Sequence, residues 1–335
     1  MSENKNEDKI DFLAIGDIVI DEFIRLKDAE ELLNHGTLEL CVRFGDKIPY
    51  ESVTLVPAVG NSPNAAVSAA RLGLKTALVT NIGNDTHGKE CLDSLKNDNV
   101  MTEYVSVEDK KDTNHHYVLW YDVDRTILIK HTEFTYKFPE IENVGWIYLS
   151  SLADHSLPYH LEIEEFLKNH PESKLAFQPG TFQIKFGTEK LKNIYQRTEI
   201  FFSNVEEAET ILGKANTDKN ILELSKGIQA LGPKMVVISD GSNGAYLYQN
   251  EELWKMPLYP DIAPPLERTG AGDAFSSTFT AALALGLTPL EALTWGPINS
   301  MSVVQEIGAQ KGLLSREKLE EYLSKAPADY KAVKI

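Results

Sequence analysis

The residues best placed for chemistry lie in the run Glu-Arg-Thr-Gly-Ala-Gly-Asp-Ala-Phe at 267–275, which leads straight into an apolar stretch at 276–285. A glycine-rich turn that becomes a helix leaves its first backbone N–H groups without intrahelical partners. Together with the helix dipole they make a site for a negative charge. Glycine at 270 and 272 lets the main chain approach a phosphate closely. An acid directly after that turn, Asp273, would sit beside a transferring phosphoryl group and accept the proton of an attacking hydroxyl. The same residues also fit a plainer account, in which an acid in the first helical turn is ordinary helix-start chemistry. The spacing is not a Walker A loop, because no Gly-Lys-Ser/Thr follows. No strand–turn–helix presents a full dinucleotide fingerprint. Among 50 acidic residues, no facing pair of carboxylates can be singled out for glycoside hydrolysis.

A turn of this kind works only if a scaffold holds it. Short apolar runs alternate along the chain with amphipathic segments, the pattern of a mostly parallel sheet covered by helices. The run at 12–15 predicts the first strand, and others are expected at 76–80, 146–150, 174–178, 199–203, 235–239 and 245–248. Ser62-Pro63 predicts a helix start with Ser62 as N-cap, and Ala65, Ala66, Ala69 and Ala70 let that helix lie close on a sheet. Gly241-Ser-Asn-Gly244 has the composition of a hairpin turn. Two stretches, 34–58 and 113–132, are rich in β-branched and aromatic residues without helical period, and 116–121 and 126–130 read as a hairpin around 122–125. They are expected to form a small sheet projecting from a large domain of 10–33, 59–112 and 133–330. The alternative is that they are edge strands of the main sheet.

At 335 residues the chain suits one large α/β domain with a smaller insertion. Its formal net charge of -17 repels nucleic acid and anionic membrane surfaces, so neither is an expected partner. An anionic substrate would need backbone N–H groups, a metal ion or a few placed basic side chains. Cys41 and Cys91 have neither metal-type spacing nor a disulfide framework. The start is polar and acidic, unlike a signal or transit peptide, and 281–287, the most apolar stretch, is far short of a membrane span. A cytoplasmic protein is expected.

Thr-Gly-Ala-Gly-Asp-Ala-Phe at 269–275 resembles the C-terminal signature of the ribokinase-like (PfkB) carbohydrate and nucleoside kinases. Gly60-Asn-Ser-Pro-Asn64 with Ala65-Ala66 and Arg71-Leu-Gly73 is similar to the family's first signature, continued by Gly83-Asn-Asp85 and Gly88. Asn204-Val-Glu-Glu207 resembles its Asn-x-x-Glu element, Asp240-Gly241 with Gly244 its nucleotide loop, and Asn299 and Gly308-Ala309 its adenine-side elements. The similarity runs in order from about residue 10 to residue 320.

The resemblance implies an α/β fold, ribokinase-like, with a mostly parallel central sheet, helices on both faces and a β-sheet lid over the substrate. It implies an ATP-dependent kinase with Asp273 as base and Gly270, Ala271 and Gly272 as the anion hole. Thr269, Gly241, Gly244, Asn299 and Asn204 fall at nucleotide-side positions, and Asn204 and Glu207 would help hold Mg²⁺, largely through water. Asn204-x-x-Glu207 is also a capping pattern, and both readings can hold at once. Asp21, Asp17, Gly60, Asn61 and Asn64 match acceptor-side positions. Pairing of lid strands between subunits in relatives implies a homodimer.

Three departures stand out. Val59 replaces the first of two glycines linked to lid closure. Glu267 replaces an aspartate associated with a monovalent cation in some members, which leaves K⁺ dependence open. Arg268 puts a positive charge beside the anion hole, facing either phosphate or Glu267. The leading expectation is a kinase of a free hexose, pentose or sugar acid. A nucleoside kinase would draw on Tyr117, Trp120 and Tyr121 for a base-stacking floor. A sugar-phosphate kinase would draw on Arg43, Lys47, Arg125 and Lys130, and a relative that binds without turnover is the reading outside the enzymes.

Overall fold

The computed structural model describes residues 9–122, 124–214 and 220–335. Residues 1–8, which hold the polar start, and Val123 of the hairpin turn lie outside them. The strands, in chain order, are β1 (Ile10–Ile15), β2 (Val19–Leu26), β3 (Glu30–Asn34), β4 (Thr37–Cys41), β5 (Tyr50–Val59), β6 (Thr76–Gly83), β7 (Val105–Glu108) and β8 (His115–Tyr121). They continue with β9 (Asp124–Lys130), β10 (Val144–Leu149), β11 (Lys174–Phe177), β12 (Thr198–Asn204), β13 (Met235–Ser239), β14 (Ala245–Gln249), β15 (Glu252–Met256) and β16 (Val333–Lys334).

Ten of them form one sheet in the order β16, β15, β14, β13, β12, β11, β10, β1, β6, β7. Every pairing from β13 across to β7 is parallel, and β14 to β16 extend the edge antiparallel. The parallel strands are apolar on both faces, as a doubly covered sheet requires. Phe12, Ala14, Tyr148, Ala176 and Phe202 face one core with the helices Asn61–Arg71, Ala271–Ala284 and Pro289–Val303. Leu13, Ile15, Leu149, Phe177 and Phe201 face the other, beneath the helices Leu157–Asn169 and Ile221–Gln229. The helix Asn61–Arg71 lies close to the sheet because Ala65, Ala66 and Ala69 are fully buried.

The strands expected at 12–15, 76–80, 146–150, 174–178, 199–203, 235–239 and 245–248 all form, within a few residues at their ends. Gly241–Asn243 makes a tight turn between antiparallel β13 and β14, with Gly241 and Gly244 both at positive φ. Ser62 is not the cap of the first helix. Gly60 is, and Ser62 sits inside the first turn, where its hydroxyl donates to the Ile15 carbonyl at 2.6 Å.

A second sheet stands apart from the first, in the order β5, β2, β8, β9. The stretch 10–33 thus contributes strands to both sheets. Val19–Leu26, assigned to the large domain, leaves the main sheet and pairs with β5 antiparallel and β8 parallel. The sequence pattern predicts a first strand at 12–15 and no separate strand at 19–26. Part of 34–58 also goes elsewhere, into a hairpin of β3 and β4 that begins at Glu30.

Candidate active site

In an open parallel sheet, ligands collect at the carboxyl ends of the strands near the point where strand order reverses. Here that point is β1, between β6 and β10. Gly16, Ser150, Gln178, Asn204 and Ser239 follow or end their strands at this edge. The helix Ala271–Ala284 starts across from them, and its third residue is Asp273.

Three side-chain amides hold the Asp273 carboxylate. Asn61 Nδ2 and Gln178 Nε2 donate to Oδ1, at 2.8 and 3.1 Å, and Asn64 Nδ2 donates to Oδ2 at 2.8 Å. Those amides are themselves oriented. Gln178 Oε1 accepts from the Tyr148 hydroxyl and from Ser276 Oγ, and Asn64 Oδ1 accepts from Gln310 Nε2 at 3.0 Å. Burial pushes the Asp273 carboxyl up, and the amide donors pull it only part of the way back. The net upward displacement makes the group a stronger base than an exposed aspartate.

At the turn before Asp273, Ala271 N makes a long 3.5 Å bond to the Arg268 carbonyl, and Ala274 N donates to the Gly270 carbonyl at 2.8 Å. Gly270 caps the helix at φ +80°, and no side chain bonds the first-turn N–H groups. The two glycines serve different needs. A Cβ on Gly270 would lie 2.3 Å from that of Ala309, so glycine there is required by the fold. A Cβ on Gly272 would meet nothing within 4 Å, so its absence leaves space on the cavity side. Glu267 is buried, with Oε2 accepting from Thr269 N and Oε1 from Gly308 N, both at 3.0 Å. It straps the turn to the loop that carries Ala309. Arg268 is exposed and does not line the cavity.

That cavity, of about 430 Å³, is lined by Asp273, Gly270, Gly272, Asn61 and Gln178 on one side and by Ser203, Asn204, Glu207 and Ser239 on the other. Arg125, from the small sheet, also lines it. Asn204 and Glu207 form a reciprocal cap, Asn204 N to Glu207 Oε2 at 3.0 Å and Glu207 N to Asn204 Oδ1 at 2.7 Å, so the capping reading of this motif is correct. Glu207 still faces the cavity, and burial with the nearby Asp273 charge pushes its carboxyl up. Ser203 Oγ and Thr269 Oγ1 are buried without a hydrogen-bond partner.

Other expected site residues lie further out. Asp17 is buried, accepts from the Tyr136 hydroxyl at 2.7 Å, and is pushed up to about 6 by burial. Its carbonyl lies 2.7 Å from where a Cβ on Gly60 would be, so it neighbours the turn that carries Asn61. Asp21, on β2, sets Oδ1 3.3 Å from His116 Nδ1, a contact without hydrogen-bond geometry. Gly241 and Gly244 do not line the cavity. Asn299 is contrary to expectation: it is fully buried, donates to Thr278 Oγ1 and accepts from Leu314 N, and so braces two helices. Tyr117, Trp120 and Tyr121 do not line the cavity either, and Trp120 carries the Arg25 guanidinium 4.7 Å from its ring centre. The one Asp273 ligand missed in the sequence is Gln178. Its only signal is a polar residue at the end of an apolar strand, before Pro-Gly.

A caged carboxylate beside a glycine-capped helix start, at the carboxyl edge of this sheet, is an arrangement suited to phosphoryl transfer. Residues 29–316 match the family model described as pfkB family carbohydrate kinase, and the chain belongs to that family. It is 25% identical over 322 residues to the ATP-dependent 6-phosphofructokinase of Thermoanaerobacterium thermosaccharolyticum, covering 91% of each chain. Arabidopsis thaliana ribokinase, complexed with ribose and ATP, superposes with a TM-score of 0.78 at 21% identity, over 94% of this chain and 99% of that one. The nucleoside kinase of Methanocaldococcus jannaschii gives 0.77 at 18% identity, over 94% and 98%. Among the described residues, no helix is long and apolar enough to cross a membrane.

Proposed function

We propose that the protein moves the γ-phosphoryl group of ATP onto a hydroxyl of a free sugar or sugar acid, with Asp273 as general base. The observation that carries this is the Asp273 carboxylate, held by three amides at the start of a helix whose cap, Gly270, offers no side chain to its first N–H groups. The acceptor oxygen bonds to the γ-phosphorus as its proton passes to Asp273, the bond from that phosphorus to the β,γ-bridging oxygen breaks, and ADP leaves. The N–H groups of Gly270, Ala271 and Gly272 meet the charge that develops on the phosphoryl oxygens. Asn61 and Asn64 then serve both base and acceptor, with Asp17 and Asp21 on the acceptor side.

Asn204 and Glu207 suit Mg²⁺: a buried carboxyl pushed up beside a second acid is relieved by a divalent cation. When bound, the ion neutralises phosphate charge. Glu267 accepts one backbone N–H on each oxygen and keeps a lone pair on each, so a K⁺ site there stays compatible with its bonding. The small sheet acts as the lid, and the exposed apolar side chains of Leu128 and of Leu33 and Leu38 beside it support a homodimer formed through it. We place the enzyme in the cytoplasm, where its free Cys41 and Cys91 stay reduced.

Arg125 favours a second reading, a phosphorylated sugar as acceptor, in keeping with the similarity to a 6-phosphofructokinase. The test is ADP release with MgATP over free hexoses, ribose, a keto-deoxy sugar acid, fructose 6-phosphate and nucleosides, run on wild type and Asp273→Asn. A free sugar or sugar acid that stimulates release in wild type alone supports the proposal. Turnover with fructose 6-phosphate or a nucleoside only would replace the acceptor class, and ATP binding without any turnover would mean an acceptor outside the panel or a relative that binds without catalysis.

A further inference from the structure

We infer that Gln178 is the positioning residue of the catalytic base, fixing the Asp273 carboxylate so that Oδ2 is the oxygen left to take the acceptor's proton. This rests on the phosphoryl-transfer reading of the site. An ionised carboxylate oxygen accepts two hydrogen bonds comfortably. Oδ1 already accepts from Asn61 Nδ2 at 2.8 Å and from Gln178 Nε2 at 3.1 Å, whereas Oδ2 accepts only from Asn64 Nδ2 at 2.8 Å. An acceptor hydroxyl can therefore reach Oδ2 without displacing any amide.

Gln178 is suited to hold this arrangement. Its Oε1 accepts from the Tyr148 hydroxyl and from Ser276 Oγ, so its NH₂ group is aimed at Asp273. A flipped amide would set Oε1 against the carboxylate. Tyr148 is fully buried on β10, Gln178 directly follows β11, and Ser276 lies one turn along the helix from Asp273. The clamp thus spans two strands and a helix, all rigid elements. The other ionisable groups around Asp273 are the Tyr148 phenol, which burial and the Asp273 charge keep neutral, Glu207 and Arg125.

The experiment compares wild type with Gln178→Ala, Gln178→Glu and Tyr148→Phe, measuring kcat, both KM values and the pH profile of kcat. Gln178→Ala should lower kcat about tenfold near the acidic limb and move that limb upward, with both KM values within about twofold, because one donor to a charged group is lost. Gln178→Glu should move it further, since two carboxylates at that distance share a proton. Tyr148→Phe should reproduce a smaller version of the alanine effect. A ¹³C titration of the Asp273 carboxyl, identified by its absence in Asp273→Asn, reads the same upward move without turnover. The inference is overturned if the limb and the titration stay in place, or if only the acceptor KM rises, which would make Gln178 a substrate ligand. Near-normal turnover in Asp273→Asn would instead overturn the base assignment. A dead Asp273→Asn with an unmoved Gln178→Ala profile leaves the base and removes only its positioning residue.

Discussion

Replacing Asp273 with asparagine keeps the shape of the side chain, so the surrounding amides determine the effect. Oδ1 accepts two N–H groups and Oδ2 one. The asparagine therefore keeps its oxygen at the Oδ1 position and turns its NH₂ group toward Asn64 Nδ2, which lies 2.8 Å from Oδ2 in the native site. Two donors then face each other, and Asn64 cannot flip without losing its bond from Gln310 Nε2. Leaving such a pair unsatisfied costs about 1–3 kcal/mol. Loss of a charge in a site that disfavours ionisation offsets part of that. With an unfolding entropy of about 0.7 kcal/mol/K for a chain of this length, the melting temperature should fall by no more than about 4 °C. Turnover should fall far more, by about 10²–10⁴, because the proton has no acceptor. A coupled ADP-release assay gives the rate, calorimetry gives ATP affinity, and thermal denaturation gives the fold. Turnover within tenfold of wild type, with the melting temperature as expected, would refute the assignment of Asp273 as base.

The two glycines of the turn should separate cleanly. Gly270→Ala meets Ala309 and a left-handed backbone and should lower the melting temperature by several degrees, whereas Gly272→Ala should melt like wild type but lose ADP release. Glu267→Gln keeps one backbone acceptor and turns the other into a donor, so it should cost about 1–3 kcal/mol in denaturant unfolding. Asp17, pushed up to about 6, binds its proton more tightly folded than unfolded. Stability should therefore fall as pH rises from about 4 to about 6, with up to about 3 kcal/mol lost by pH 7. Asp17→Asn should recover that loss at pH 7 and change little at pH 4, and equal destabilisation at both would contradict the account.

Most of the main sheet was legible because its strands are continuous apolar runs, such as Phe12 to Ile15 and Met235 to Ser239, between turn residues. The helix start at 270–273 was legible because glycine spacing and a following acid are local signals. What escaped depends on contacts distant in sequence. Gln178 reaches Asp273 across 95 positions, and only the order of strands makes them neighbours. Asn299 looked like a polar site residue, but its partners Thr278 and Leu314 come from helix packing that no spacing announces. Val19–Leu26 changed sheets because its pairing with β5 and β8 is set by residues up to about a hundred positions away.

The loop at 305–313 touches three working parts at once. Gly308 N is held by Glu267, and a Cβ there would lie 3.2 Å from Val56 on the small sheet. Ala309 packs on Gly270 of the anion turn. Gln310 Nε2 donates both to the carbonyl of Ala58, itself at φ 60°, and to Asn64 beside the base. On the proposed roles, donor phosphates, acceptor and small sheet meet one piece of backbone, and linkage between ATP and acceptor binding is expected there. Such linkage is symmetric: if ATP tightens the acceptor by some factor, the acceptor must tighten ATP by the same factor.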